Sequence, residues 1–249
     1  MSDFNNRYPG AIPAPETMAV DQGLRSFMLG VYNKLFIGLL IATALAFVTS
    51  AVPQVRDLMY LTTADGRFAG FTLLGYAVNF APLVLILGSM FFMKNPTAGT
   101  ASLHYWLVVA TMGASLGVWL IVYTGASAVL TLGVTAAAFG GLSLFGYTTK
   151  KNLTGMGSFL IMALIGLIVA SVVNIFLQNP LFNIIISAAG ALIFAGLIAY
   201  DTQRLKMTYY ALGGDKELEG VATSYGALSL FINFVNLFQF LLAFLGVRR

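Results

Sequence analysis

The acidic residue Asp201 is a candidate for chemistry because it directly follows a long apolar run, in the stretch AGLIAYDTQRLK at positions 195–206. A carboxylate inside a membrane is costly, so such groups usually face a cavity and mark an ion or proton path. Arg204 lies three residues further on and can pair with Asp201 on the same helix face. The alternative is that Asp201 only marks the point where a helix leaves the membrane and is hydrated there. Spacing alone leaves both interpretations open.

Enzymatic chemistry has few candidate residues in this chain. His104 is the single histidine and cysteine is absent, which excludes a His- or Cys-based metal cluster. His104 lies in the stretch SLHYW, where an aromatic anchor at the membrane interface is expected. An aspartyl protease needs two carboxylates that share a proton, and only Asp201 lies in or beside an apolar run. We therefore predict that the protein is not an enzyme.

The composition is that of an integral membrane protein. Of the 249 residues 59% are hydrophobic and only 9% are charged, and the mean hydropathy is +0.87. A soluble domain of this length cannot bury so much apolar surface, because most of its surface must face water. The net charge of +4 comes from basic residues scattered between apolar runs, without a dense basic patch. The lipid bilayer is therefore the expected partner, and nucleic acid is not.

Seven apolar runs are long enough, or nearly so, to span a bilayer, which takes about 20 residues. The predicted spans are residues 27–51, 69–93, 103–123, 126–147, 156–177, 181–200 and 221–247. The sixth helix is predicted to continue to Leu212, because Gly213 and Gly214 provide the first stop signal. The fold class is thus an all-α membrane protein, a seven-transmembrane helical bundle. Residues 1–24 are predicted to be a polar, mobile tail, and residues 25–249 to form the seven-span domain.

The distribution of basic residues predicts the orientation. Nine of the 13 lysines and arginines lie on the side that holds the N-terminus and four on the other, which predicts a cytoplasmic N-terminus. The last segment carries Asn233, Asn236 and Gln239 and is followed by Arg248 and Arg249. This polar content predicts that the segment is buried among other helices, and the terminal arginine pair leaves open a re-entrant course.

Small residues recur at the spacing that brings helices close together in lipid. Gly113 and Gly117 form a GxxxG motif, and Ala137 and Gly141 form a similar pair. Helix packing is the expected role of both pairs.

Five stretches of the chain resemble the Bax inhibitor-1 family, also called the TMBIM or YccA-like family. Residues 199–206, AYDTQRLK, and 226–246, GALSLFINFVNLFQFLLAFLG, resemble the C-terminal end of that family. Residues 94–103, 146–160 and 172–190 match it in the same order. The resemblance implies six helices around a central C-terminal helix, a bacterial inner membrane location for so short a chain, and a pH-sensitive calcium leak.

The resemblance also supplies an alternative function. Eukaryotic members of the family suppress cell death, and bacterial relatives have been linked to a membrane-bound ATP-dependent protease. A non-conducting membrane regulator that binds such a protease, with residues 1–24 as a handle, is therefore the alternative to a leak channel. A proton-coupled transporter is disfavoured, because one carboxylate and no pair of broken helices offer little coupling machinery.

The site residues implied by the resemblance are a pair of aspartates, of which this chain keeps one. The first corresponds to Asp201, whereas Asn233 occupies the place of the second. Calcium prefers six to eight oxygen ligands, several of them charged, so only a weak calcium site at Asp201 is expected, with calcium or protons as the ions and no other cofactor. The Asn233 amide can donate a hydrogen bond to Asp201. We predict that this contact latches the sixth and seventh helices, with Arg204 and Asn236 close by.

Overall fold

Helices dominate the computed structural model, which describes residues 22–249. The helices are α1 Gln22–Ala51, α2 Pro53–Met59, α3 Leu73–Phe92, α4 Ala98–Ser115, α5 Gly117–Val122, α6 Gly125–Thr148, α7 Thr154–Leu177, α8 Pro180–Ala211 and α9 Lys216–Leu245. Within this part of the chain, seven helices are long and apolar enough to cross a membrane, with α4 and α5 counted as one span. The seven-span, all-α architecture is confirmed. The predicted tail lies outside the described residues except for residues 22–24, which belong to α1.

The sixth span, α8, is a long helix, as predicted from the absence of an earlier stop signal in its sequence. It contains 32 residues, or about 48 Å at 1.5 Å per residue, so it extends well past the apolar run. Asn179 caps its first turn by accepting hydrogen bonds from two backbone N–H groups. The chain leaves the helix through Gly213 and Gly214, whose φ angles of 60° and 86° favour glycine. Asp201 therefore lies within a continuous helix.

The connection between the first two spans contains a hairpin that the hydropathy pattern did not predict. Strands β1 (Tyr60–Thr62) and β2 (Phe68–Phe71) pair antiparallel, and the turn between them contains Gly66 at a φ of 75°. The expected start of the second span at residue 69 is therefore wrong, and α3 begins at Leu73. Residues 68–71 are apolar because their aromatic rings pack on Tyr60, not because they cross the membrane.

The C-terminal helix α9 is the interior helix of the bundle. It packs on α1, α4, α6 and α8, whereas α3 packs mainly on α4 and α7 mainly on α8. Near its start, the Glu217 carboxylate accepts a hydrogen bond from the N–H of Ala98, the first residue of α4. Beyond its end, the N–H of Arg249 donates to the carbonyl of Val122, the last residue of α5. Because α9 runs from one end of the third span to the other, the re-entrant alternative is wrong.

One of the two predicted small-residue pairs forms a helix contact within this chain. A Cβ atom on Gly113 would lie 2.5 Å from the Cα of Ala42, and one on Gly117 would lie 2.1 Å from the hydroxyl of Thr49. The third span and α1 therefore approach each other at these glycines. Ala137 and Gly141 are exposed instead, and a Cβ on Gly141 would meet no atom within 4 Å. The packing role predicted for the second pair is thus wrong within the described residues.

Candidate functional site

The carboxylate of Asp201 lies buried at the contact between α8 and α9. Asp201 and Asn233 are each only 5% exposed. The Nδ2 amide of Asn233 donates a hydrogen bond of 2.7 Å to Oδ2 of Asp201. The structure thus brings together the two residues that the sequence placed in one contact, and Asp201 is not a hydrated residue at a helix exit.

Two further side chains bind the same carboxylate. The Arg204 guanidinium lies 3.0 Å from Oδ1 of Asp201, as the spacing of three residues on one helix allows. The hydroxyl of Ser229 donates to Oδ2. Both oxygens of Asp201 therefore have partners, and the charge of the carboxylate is balanced by Arg204. We call Asp201, Arg204, Ser229 and Asn233 the Asp201 cluster.

The helix geometry explains how the cluster forms. Ser229 and Asn233 are four residues apart on α9 and so share one face, directed at α8. One turn before Ser229, Gly226 leaves room for the side chain of Leu205, since a Cβ there would lie 2.4 Å from a Leu205 methyl carbon. The two helices approach closely at this glycine, which places the short Ser229 and Asn233 side chains within reach of Asp201.

Gln203 anchors the same turn of α8 to the preceding connection. Its amide nitrogen donates to the carbonyl of Lys151 and its amide oxygen accepts from the N–H of Leu153, both at 2.8 Å. In the short connection between α6 and α7, these two backbone groups are therefore paired with a side chain instead of with other backbone groups. Gln203 thereby fixes the position of this turn of α8, which also carries Asp201.

Not every polar residue that the sequence singled out joins the cluster. Asn236 donates to the carbonyl of Ile232 on its own helix, at 2.9 Å, and no contact joins it to Asp201. His104 is not an exposed interfacial anchor, because it is 6% exposed and its Nε2 lies 3.1 Å from the carbonyl oxygen of Leu85. Sequence reasoning missed Ser229, although its position four residues before Asn233 was an available signal.

A second polar contact joins three helices on the other side of α9. Lys34 of α1 donates to the hydroxyls of Ser102 on α4, at 2.8 Å, and Ser224 on α9, at 2.9 Å. Its ammonium group also lies 5.3 Å from the centre of the Tyr105 ring. Lys34 is therefore an internal link of the bundle and not only a positive charge at its end.

The Asp201 cluster is poorly suited to hold a metal ion. Within residues 22–249, no group of three or more His, Cys, Asp or Glu side chains lies close enough together to bind a metal. Asn233 directs its amide NH₂ at Asp201, and Arg204 supplies a positive charge. A cation would have to displace these groups before it could bind the carboxylate of Asp201.

The fold and the site together define a multi-pass, all-α membrane protein whose last two spans are joined through a buried ionisable group. The family model described as "Inhibitor of apoptosis-promoting Bax1" matches residues 24–249. The chain belongs to this family, the Bax inhibitor-1 family, and the resemblance seen in the sequence is confirmed.

Bacterial relatives match nearly the whole chain. An uncharacterised protein of Caulobacter vibrioides is 60% identical over 250 residues, covering 100% of both chains. A protein of Rickettsia prowazekii, RP147, is 39% identical over 229 residues, covering 92% of each. The inner membrane protein YbhL of Escherichia coli K12 is 36% identical over 228 residues, covering 91% of this chain and 94% of YbhL. With its seven apolar helices, the chain is a multi-pass bacterial inner membrane protein in contact with the lipid bilayer.

Proposed function

We propose that the protein is a pH-sensitive cation leak channel, with calcium as the favoured ion, and that the contact between Asp201 and Asn233 holds it closed. The observation that carries the proposal is the buried hydrogen bond of 2.7 Å between these two residues, which joins α8 to α9. An ionisable residue buried among membrane spans usually belongs to an ion or proton pathway. A carboxylate buried at this helix contact fits a gate better than a binding surface, because a partner protein cannot reach it.

A cavity at the opposite end of the bundle supports the same proposal. Its volume is about 490 Å³, and it is lined by residues of α1, α6 and α9, among them Phe234 and Val235. These two residues directly follow Asn233 in α9. A displacement of α9 away from α8 at the Asp201 cluster would therefore also move Phe234 and Val235 in the wall of this cavity. The cluster and the cavity would then change together.

Calcium is expected to pass the cluster rather than to reside there. Asp201 supplies a single carboxylate, which Arg204, Ser229 and Asn233 already bind. Calcium affinity depends on the number of charged oxygen ligands, so any calcium site at Asp201 is weak and forms only when Arg204 has moved away. Asn236, one turn beyond Ile232 on α9, supplies a further amide on the same helix as Asn233.

The sign of the pH dependence follows from the partners of Asp201. In the wild-type protein Arg204, Ser229 and Asn233 all hold the ionised carboxylate, so the contact should stay closed near neutral pH and flux should rise only in acid. In Asn233→Asp, two carboxylates occupy the contact and cannot both ionise at close range. A shared proton would then hold them together at low pH, and their repulsion would open the contact at high pH.

We therefore expect calcium flux through proteoliposomes to stay low between pH 8 and pH 6 and to rise only below that range for the wild type, and to decrease between pH 8 and pH 6 for Asn233→Asp. Asp201→Asn removes the carboxylate that the three donors hold and should abolish the pH dependence. Asp65→Asn, in the exposed turn between β1 and β2, removes an equal charge far from the cluster and should behave as the wild type. Identical pH profiles for all four proteins would exclude the gate.

The alternative function, a non-conducting membrane regulator that binds a protease or another membrane protein, is favoured by one observation. The cluster contains only one carboxylate, and each of its oxygens has a partner within the protein. A carboxylate whose two oxygens are both paired within the protein is also consistent with a purely structural contact between α8 and α9. Purified protein that shows no calcium flux at any pH in loaded vesicles would support this function instead of the leak.

A further inference from the structure

A cleft separates α1 from α6 at the end of the bundle where α1 begins. Its volume is about 620 Å³, within the roughly 300–1,000 Å³ typical of small-molecule sites. Both helices pack on α9, but they are not packed on each other. The lining residues used below are Arg25 of α1 and Phe139, Gly140, Ser143 and Tyr147 of α6.

The hydroxyl of Ser143 indicates that this cleft holds a ligand. Ser143 is 6% exposed, and its Oγ has no hydrogen-bond partner among the described residues. Ser171 and Thr135, by contrast, bind the carbonyl four residues earlier on their own helices, whereas Thr202 on α8 is a second helical hydroxyl without a partner among the described residues. A buried polar atom without a partner is costly. Because Ser143 lines the cleft, rotation about its Cα–Cβ bond can direct the hydroxyl at a polar atom of a bound molecule, which would supply the missing partner.

The chemical groups of the cleft are arranged in layers along the bundle axis. Arg25 lies in the first turn of α1 and Tyr147 in the last turn of α6, so a guanidinium and a phenol lie at the mouth. Ser143 lies five residues before the end of α6, about 7 Å deeper at 1.5 Å per residue. Phe139 lies one further turn into the bundle. From the mouth inward, the cleft thus presents a cation, then a hydroxyl and then an apolar wall. These groups match, in the same order, the phosphate, the ester and the acyl chain of a phospholipid.

We propose that the cleft between α1 and α6 binds an anionic phospholipid. Arg25 binds the phosphate through charge-assisted hydrogen bonds, for which the guanidinium is well suited. Ser143 donates to an ester oxygen, and one acyl chain lies against Phe139. Basic pockets between transmembrane helices bind lipid headgroups in this way. Arg25 is exposed, and no carboxylate of residues 22–249 forms an ion pair with it. The proposal does not depend on ion conduction.

Gly140 and Gly141 provide a matched pair of variants for the test. A Cβ on either glycine would meet no atom within 4 Å, so a larger side chain can begin at both positions without a clash at its first atom. Gly140 lines the cleft and Gly141, its neighbour in the chain, does not. Gly140→Leu therefore fills the cleft, whereas Gly141→Leu adds the same side chain outside it.

The experiment measures binding of phosphatidylglycerol and phosphatidylcholine with identical acyl chains to the full-length protein by native mass spectrometry. We expect tighter binding of phosphatidylglycerol, a loss of roughly tenfold in its affinity in Gly140→Leu, and no change in Gly141→Leu. Arg25→Gln should remove the preference for phosphatidylglycerol, and Ser143→Ala should weaken both lipids. Thermal unfolding midpoints of all variants check that each is folded.

Three results would overturn the proposal. Equal lipid binding by Gly140→Leu and Gly141→Leu would show that the cleft is not the site. An unchanged lipid preference in Arg25→Gln would show that Arg25 does not bind the phosphate. Displacement of the lipid by free inorganic phosphate would show that the site recognises the anion alone.

Discussion

Asn233→Leu is expected to lower the free energy of unfolding by about 3 kcal/mol, because it removes a hydrogen-bond donor from a buried carboxylate. The Asn233 amide lies 2.7 Å from Oδ2 of Asp201, and both residues are 5% exposed, so water cannot replace the lost bond. Leucine has a similar volume but places methyl groups against a negative charge. Reversible unfolding in mixed micelles with increasing sodium dodecyl sulfate measures the change.

Asn236→Leu is the matched control for this prediction. Asn236 lies on the same helix and donates only to the carbonyl of Ile232. Because that carbonyl already belongs to the helix, leucine at this position should cost far less. Combining Asn233→Leu with Asp201→Asn should recover part of the lost stability, since the uncompensated charge is then absent. The double variant's change in the free energy of unfolding, minus the sum of the two single changes, measures the coupling between the two residues. Equal losses for Asn233→Leu and Asn236→Leu would contradict the importance of the cluster.

The class of fold could be predicted from the sequence because lipid imposes a simple rule. Every backbone polar group in the membrane must be paired, so an apolar run of about 20 residues must be a helix. The same reasoning found the long α8 from its lack of an early stop signal. The hairpin between α2 and α3 escaped it, because hydropathy cannot distinguish apolar side chains that face lipid from those, such as Phe68 and Phe71, that pack on Tyr60.

The pairing of Asp201 with Asn233 was predictable only in part. The resemblance to the Bax inhibitor-1 family named the two positions, and amide chemistry suggested a donor. Ser229 was missed because serine is common in transmembrane helices and its role depends on how close α9 lies to α8. That distance depends on Gly226 and Leu205, which are far apart in sequence. Lys34 was counted as a flanking charge because its partners, Ser102 and Ser224, belong to other helices.

Gly146→Ala is expected to destabilise the protein by about 1–3 kcal/mol, even though alanine is the better helix former. A Cβ on Gly146 would lie 2.2 Å from the carbonyl oxygen of Ala199, two residues before Asp201. A backbone oxygen within a helix cannot move aside as a flexible side chain would, so α6 and α8 must separate. Thermal unfolding in detergent micelles measures the loss.

Gly133→Ala separates this clash from the effect of helix propensity. Gly133 lies on the same helix, and a Cβ there meets no atom within 4 Å, so alanine should stabilise the protein slightly. The two substitutions make the same chemical change and should have opposite signs. If Gly146→Ala were as stable as Gly133→Ala, the close packing of α6 against α8 would be wrong. Asp201 would then lack the rigid support that keeps its carboxylate directed at α9, because α6 and α9 pack on α8 in the same region.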